Sequence, residues 1–171
     1  MLDIHKLGDE VLREKCTEVI EFDNSLKMLE EAMYETMAQA GGVGLAAPQV
    51  GVTKRLFVIE IPREGIKKTF VNPQIIETSV ETHKALEGCL SLPGLEHEVE
   101  RPQRVTVFAQ DTDGKPFTLS ADGLFARAIQ HENDHLNGVL YIDHLDEQER
   151  LHMERLFKKR EQARRKAKRH G

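Results

Sequence analysis

His131-Glu132-Asn133-Asp134-His135 places two imidazoles four residues apart, with a carboxylate directly after the first. On an α-helix, residues i and i+4 share one face, with Cβ atoms about 5–6 Å apart. Two histidines so placed can grip one metal ion. The intervening glutamate is left free to act as a base. Two histidines do not complete a catalytic centre, which usually takes three protein ligands and keeps a fourth position open. Cys89, in Leu86-Glu87-Gly88-Cys89-Leu90-Ser91-Leu92-Pro93-Gly94, is the leading candidate for the third. A thiolate suits zinc or iron(II), and Gly88 leaves space beside it. A lone cysteine is most often a small buried hydrophobe. The competing Cys16 sits in a polar arm without such a loop.

The elements that would position these residues can be read from the pattern around them. Leu124, Phe125, Ala128, Ile129 and Leu136 recur at spacings of three and four, which predicts a helix under the two histidines. Asp122 is its expected cap and Asn137-Gly138 its expected stop. Earlier, Asp23 or Asn24 opens an amphipathic helix carrying Leu26, Leu29, Met33 and Met37, which ends at Gly41-Gly42. Its methionine stripe reads as core packing. Residues 1–22 read as an irregular or briefly helical arm. Residues 42–51, Gly-Val-Gly-Leu-Ala-Ala-Pro-Gln-Val-Gly, are too apolar for a surface turn and too rich in Gly and Pro for a regular helix or strand. They fit a tight buried connection or a backbone wall that a substrate can approach closely. Strands are expected at 55–61, at 68–72 ending before Pro73, at 75–82, around Val99, and at 104–109 with 117–119 across a Thr112–Lys115 turn. Asp146 and Glu149 have capping-box spacing. They introduce a last helix with Leu151, Leu156 and Phe157 as apolar contacts, whose final turns are expected to project or fray.

The fold class expected is therefore α+β: antiparallel β-sheets packed around a central metal-binding helix, with a C-terminal helix. A chain of 171 residues suggests one domain over 1–171. No apolar run approaches the roughly 18 residues of a membrane span, and the N-terminus lacks the apolar core of a secretory signal. Two cysteines do not make a disulfide framework, which favours the cytoplasm. Residues 150–171 carry ten Lys/Arg against two Asp/Glu, a net of +8, whereas the other 149 carry 14 against 27, a net of −13. An acidic body with a basic tail suggests an anionic partner for the tail.

Three stretches in fixed order, GVGLAAPQ at 42–49 with its leading glycine, EGCLSLPG at 87–94 and QHENDHLNG at 130–138, closely resemble the bacterial peptide deformylases. The resemblance covers nearly the whole chain. It implies Cys89, His131 and His135 as ligands of one divalent metal ion per chain, iron(II) in the native state, with zinc, nickel or cobalt able to substitute. It implies Glu132 as general acid/base, with Gln49 and the Leu90 backbone N–H as oxyanion hole. Val43 and Gly44 would pair with the peptide backbone, and Val43, Leu124 and Ala128 would line an apolar methionine pocket. Glu87, placed with the substrate-binding set, would pair with Arg101. The implied substrate is an N-formylmethionyl nascent peptide, hydrolysed to formate and a free N-terminal methionine.

Amide hydrolysis fits these residues on its own terms. A metal ion supplies hydroxide at neutral pH, amide N–H groups stabilise the developing oxyanion, and a glutamate moves the proton to the leaving amine. Departures from the family pattern are Arg127, whose stem is expected to line the pocket while its guanidinium reaches solvent, Glu96 at the far end of the peptide, and a missing proline near Gly8-Asp9. The basic tail is expected to bind the ribosome; neither a membrane nor DNA is expected as partner. The alternative is a zinc endopeptidase, whose longer pattern requires a histidine at Tyr141. His144 is three residues late, and Glu154 is the other candidate third ligand. A structural metal in an RNA-binding protein is the reading from a different class.

Overall fold

The Asp23 side chain accepts a hydrogen bond from the Leu26 N–H at 3.1 Å, satisfying one of the free donors at a helix start. Helix α1, Asn24–Ala40, follows and ends at Gly41, where φ is 76°, a left-handed turn that costs glycine nothing. The computed structural model describes residues 1–170. After α1 come β1 (Gly44–Ala46), a 3-10 turn (Ala47–Val50), β2 (Leu56–Ile61), β3 (Ile66–Thr78), β4 (Thr82–Cys89), β5 (Leu92–Pro102), β6 (Arg104–Gln110), β7 (Pro116–Asp122), α2 (Gly123–Leu136), a 3-10 turn (Tyr141–His144) and α3 (Glu147–His170). The last residue of the basic tail, Gly171, lies outside the described residues.

Five strands form one antiparallel sheet in the order β1-β2-β3-β6-β7, and β4 pairs only with β5 in a separate hairpin. Strand β2 is apolar on both faces because both are covered. Phe57, Ile59 and Ile61 pack with Ala126 and Ile129 of α2, whereas Leu56 and Val58 pack with Leu26, Met33 and Met37 of α1. Phe57 and Phe70 stack with centroids 4.7 Å apart and are fully buried, each contributing roughly 1.5–3 kcal/mol through burial. Helix α2 thus lies against the large sheet, with the hairpin on its other side. This is the expected α+β arrangement. No helix among the described residues is long and apolar enough to cross a membrane.

Several local expectations are corrected. The Gly/Pro stretch holds a three-residue strand and a 3-10 turn rather than an irregular connection. The two strands expected on either side of Pro73 are one strand, β3, which continues through an irregularity between Val71 and Gln74. There Asn72 has φ 51°, and its side chain bonds Val19 N–H, Val19 O and Gln110 Oε1. Those three bonds hold the backbone where proline would have stopped an ordinary strand. Asp122 makes no side-chain cap bond to α2. On α3 the buried contacts are Met153 and Phe157, while Leu151 stays 38% exposed, and the helix continues unbroken to His170.

Candidate metal centre

His131 and His135 point from one face of α2 toward the turn between β4 and β5, where Cys89 ends its strand. One donor atom from each of Cys89, His131 and His135 lies within 4.8 Å of the others, and Cys89 Sγ is 3.4 Å from His135 Nε2. The histidine orientations are fixed from behind. His131 Nδ1 bonds Glu87 Oε1 at 2.9 Å, which leaves Nε2 facing the centre. The ring of the buried Tyr141 stacks on His131 at 6.1 Å. Burial pushes His135 well below the ordinary histidine range, keeping it in the neutral form a ligand requires. At His131 burial opposes charge but is outweighed by Glu132, Cys89 and Glu87, which raise its pKa well above the ordinary value. That concentration of negative charge around a soft donor set fits a divalent cation.

Behind the ligands lies a closed charge cluster. Glu87 Oε1 accepts from Arg101 as well as His131, and Oε2 accepts from Arg101 Nε and Arg127, both at 2.6 Å. Burial alone would raise the Glu87 carboxyl, but the bonds from His131 and Arg101 hold it down at about 2. Arg101 also reaches Asp134 Oδ2 at 2.9 Å, and His144 meets that oxygen at 2.8 Å. The pairing of Glu87 with Arg101 is as expected. With both oxygens taken, Glu87 has none left for a peptide, so its place is behind the ligands and not in the substrate-binding set. Arg127 is a second correction: it is 8% exposed, and its guanidinium turns inward rather than to solvent.

Glu132 faces the pocket, buried, with Oε2 3.9 Å from His131 Nε2 and Oε1 without a protein partner. Burial pushes its carboxyl up to about 7, where it can both take and release a proton near neutrality. Gln49 is also buried. Its Oε1 accepts from Ala46 N–H at 3.0 Å, and its Nε2 donates to Ser91 Oγ at 3.0 Å and lies 3.6 Å from Cys89 Sγ. Ser91, which sequence reasoning passed over inside the cysteine motif, hands on this bond to His5 O at 2.7 Å. It thereby ties the N-terminal arm to the glutamine. Leu90 occupies the turn beside Cys89.

A cleft of about 610 Å³ opens over these groups, with Val43, Leu124 and Ala128 among its apolar walls. Val43 O accepts from Glu60 N–H at 2.9 Å, which commits that backbone group to β2 and removes it from peptide pairing. By the alternation of an antiparallel strand, Gly44 faces the opposite edge, toward the cleft. A side chain at Gly44 would collide with Glu132, since its Cβ would sit 2.5 Å from Oε2. Gly44→Ala is therefore expected to cut turnover at least about tenfold by displacing a group whose loss costs roughly 10²–10⁴-fold, with metal content unchanged. Parallel turnover and metal analysis check this.

A thiolate and two imidazoles around one point, with a buried carboxylate beside them, define a mononuclear metal-hydrolase centre. The endopeptidase alternative finds no support: Glu154 is paired with Arg150, His144 is held by Asp134, and Cys89, His131 and His135 are the three ligand-type side chains that converge. The polypeptide deformylase family model matches residues 1–151. Peptide deformylase 1 of Clostridium perfringens is 49% identical over 136 residues, covering 80% of this chain and 92% of that protein. The peptide deformylase of Legionella pneumophila superposes with a TM-score of 0.91 at 42% identity, over 96% of this chain and 97% of that one. That of Synechococcus elongatus, in complex with actinonin, gives 0.84 at 46% identity, over 87% and 83%. The chain belongs to the polypeptide deformylase family.

Proposed function

We propose that this chain removes the N-formyl group from nascent polypeptides that begin with formylmethionine, releasing formate. The observation that carries this is the convergence of Cys89, His131 and His135 beside the buried Glu132, at the head of a cleft with one free strand edge. The formylated end of a chain enters that cleft, its backbone pairing with Gly44 and its methionine side chain against Val43, Leu124 and Ala128. Gln49 Nε2 and the Leu90 N–H donate to the oxygen as charge develops on it, each such donor being worth about 3–4 kcal/mol in comparable sites. Glu132 takes the proton of the attacking water and passes it to the departing amine. Cys89, His131 and His135 hold the ion, iron(II) by preference, with zinc, nickel or cobalt as substitutes. When bound, it supplies Lewis acidity and a nucleophile at neutral pH. Purification without oxygen, followed by metal analysis and a formate-release assay, tests the reading. One ion per chain and formate from formyl-Met peptides, but no acetate from acetyl-Met peptides, is expected. Cleavage inside unformylated peptides would overturn it in favour of a peptidase.

Substrate of this kind emerges at the ribosome in the cytoplasm, and the basic helix α3 is suited to hold the enzyme there. Arg150, Arg155, Lys158, Lys159, Arg160, Arg164, Arg165, Lys166, Lys168 and Arg169 lie on it, and phosphate contacts by such residues weaken steeply with salt. Removing the chain after Phe157 keeps both buried residues of α3 and all three candidate ligands. Ribosome co-sedimentation is expected to fall, most at low salt, while activity on short free peptides persists. Equal co-sedimentation by both forms across a salt series would remove the tail from this role.

A further inference from the structure

Cys89 and the two histidines come from separate bodies. His131 and His135 project from α2, whereas Cys89 ends β4 in a hairpin that shares no ladder with the five-stranded sheet. The spacing of thiolate and imidazoles therefore depends on the side chains between hairpin and helix. Arg127 lies one turn before His131 on α2, and its guanidinium makes three bonds, all of them to the hairpin. It donates to Glu87 Oε2 at 2.6 Å, to Val99 O at 2.8 Å and to His83 O at 2.7 Å. The acceptors lie on both strands, His83 and Glu87 on β4 and Val99 on β5. Arg101, the other guanidinium on Glu87, is itself part of the hairpin and crosses to α2 at the more exposed Asp134. Arg127 is the buried crossing. A planar fork can meet three acceptors in fixed directions at once, which an ammonium cannot.

We propose that Arg127 is a positioning residue: it docks the β4–β5 hairpin on α2, and so sets the reach of Cys89 to His131 and His135 and the retention of the ion they hold. This rests on the metal-centre reading above. The test compares cobalt-loaded parent, Arg127→Met, Arg127→Lys, Cys89→Ala and the exposed control Arg104→Met. Three quantities are read: the thiolate-to-cobalt charge-transfer band, the rate of cobalt loss to a chelator, and the melting temperature of the metal-free protein. Arg127→Met is expected to weaken the band and release cobalt at least about tenfold faster, in keeping with the roughly 10–100-fold cost of losing groups behind a metal ligand. Arg127→Lys falls between it and the parent, and Arg104→Met matches the parent. A merely structural role would lower the metal-free melting temperature while leaving band and release rate of the folded protein unchanged, and that result overturns the proposal. Should Arg127→Met not fold, Arg127→Lys carries the test, and a parent-like band and release rate overturn it equally. A parent without a band that depends on Cys89 would instead fail the metal-centre reading and remove the inference with it, a distinct outcome.

Discussion

Glu132→Gln is expected to retain its metal and lose about 10²–10⁴-fold in turnover, the usual range for a general acid/base group. The substitution keeps the size of the side chain and removes the proton-accepting oxygen. Glu132 is outside the ligand set, and its Oε2 stands 3.9 Å from the nearest ligand nitrogen, so metal content should match the parent. The loss should fall on kcat, because the carboxylate acts on the water and the leaving amine. Formate release under saturating formyl-Met peptide, with metal analysis on the same sample, decides the matter. Near-normal kcat with metal in place would remove Glu132 from proton transfer.

The second large effect is on stability. Arg101 is 4% exposed and makes charge-assisted bonds to both Glu87 oxygens and to Asp134. Arg101→Met conserves the stem and leaves Glu87 with one guanidinium, from Arg127, against a second carboxylate nearby. Breaking a buried pair by deleting one partner costs about 3–5 kcal/mol, because the other charge stays buried without its compensation. Denaturant unfolding of the metal-free protein should show a loss of that size. The metal-free state is the informative one, since bound metal would add its own stabilisation of the native fold. A loss below about 1 kcal/mol would mean that Arg127 and water replace Arg101 adequately.

The parts of this molecule that were legible in sequence are those whose pattern is local. The spacing of His131 and His135 within the apolar rhythm of α2, and the Asp23 start of α1, follow from neighbours within a turn or two. The charge cluster under the ligands was not legible, because Glu87, Arg101 and Arg127 lie 14 to 40 positions apart and each alone looks like a surface residue. The hairpin hid for a related reason. Glu96, Glu98 and Glu100 give β5 a charged outer face, so its strand character shows only as alternation against Leu95, His97 and Val99. Pro73 ended a strand on paper, whereas in the fold the Asn72 side chain carries β3 past it through contacts with Val19 and Gln110. Arg127 was sent to solvent on general preference. What keeps it inside is three acceptors supplied by a hairpin that was itself hard to see.

Strand β1 is only three residues long, and little of it is open. Val43 O is bonded to β2, Leu45 shares that side, and Ala46 N–H is taken by Gln49. About one residue of free backbone, Gly44, is left for a visitor. A short edge of this kind cannot template a second sheet, which protects the protein from the edge-to-edge association that a longer exposed strand invites. It also limits what the visitor can gain from main-chain pairing, so residues beyond the first contribute little through the ladder. An enzyme that must serve nearly every new chain in the cell needs that indifference, and it needs its product to leave. Both follow from an edge too brief to hold on.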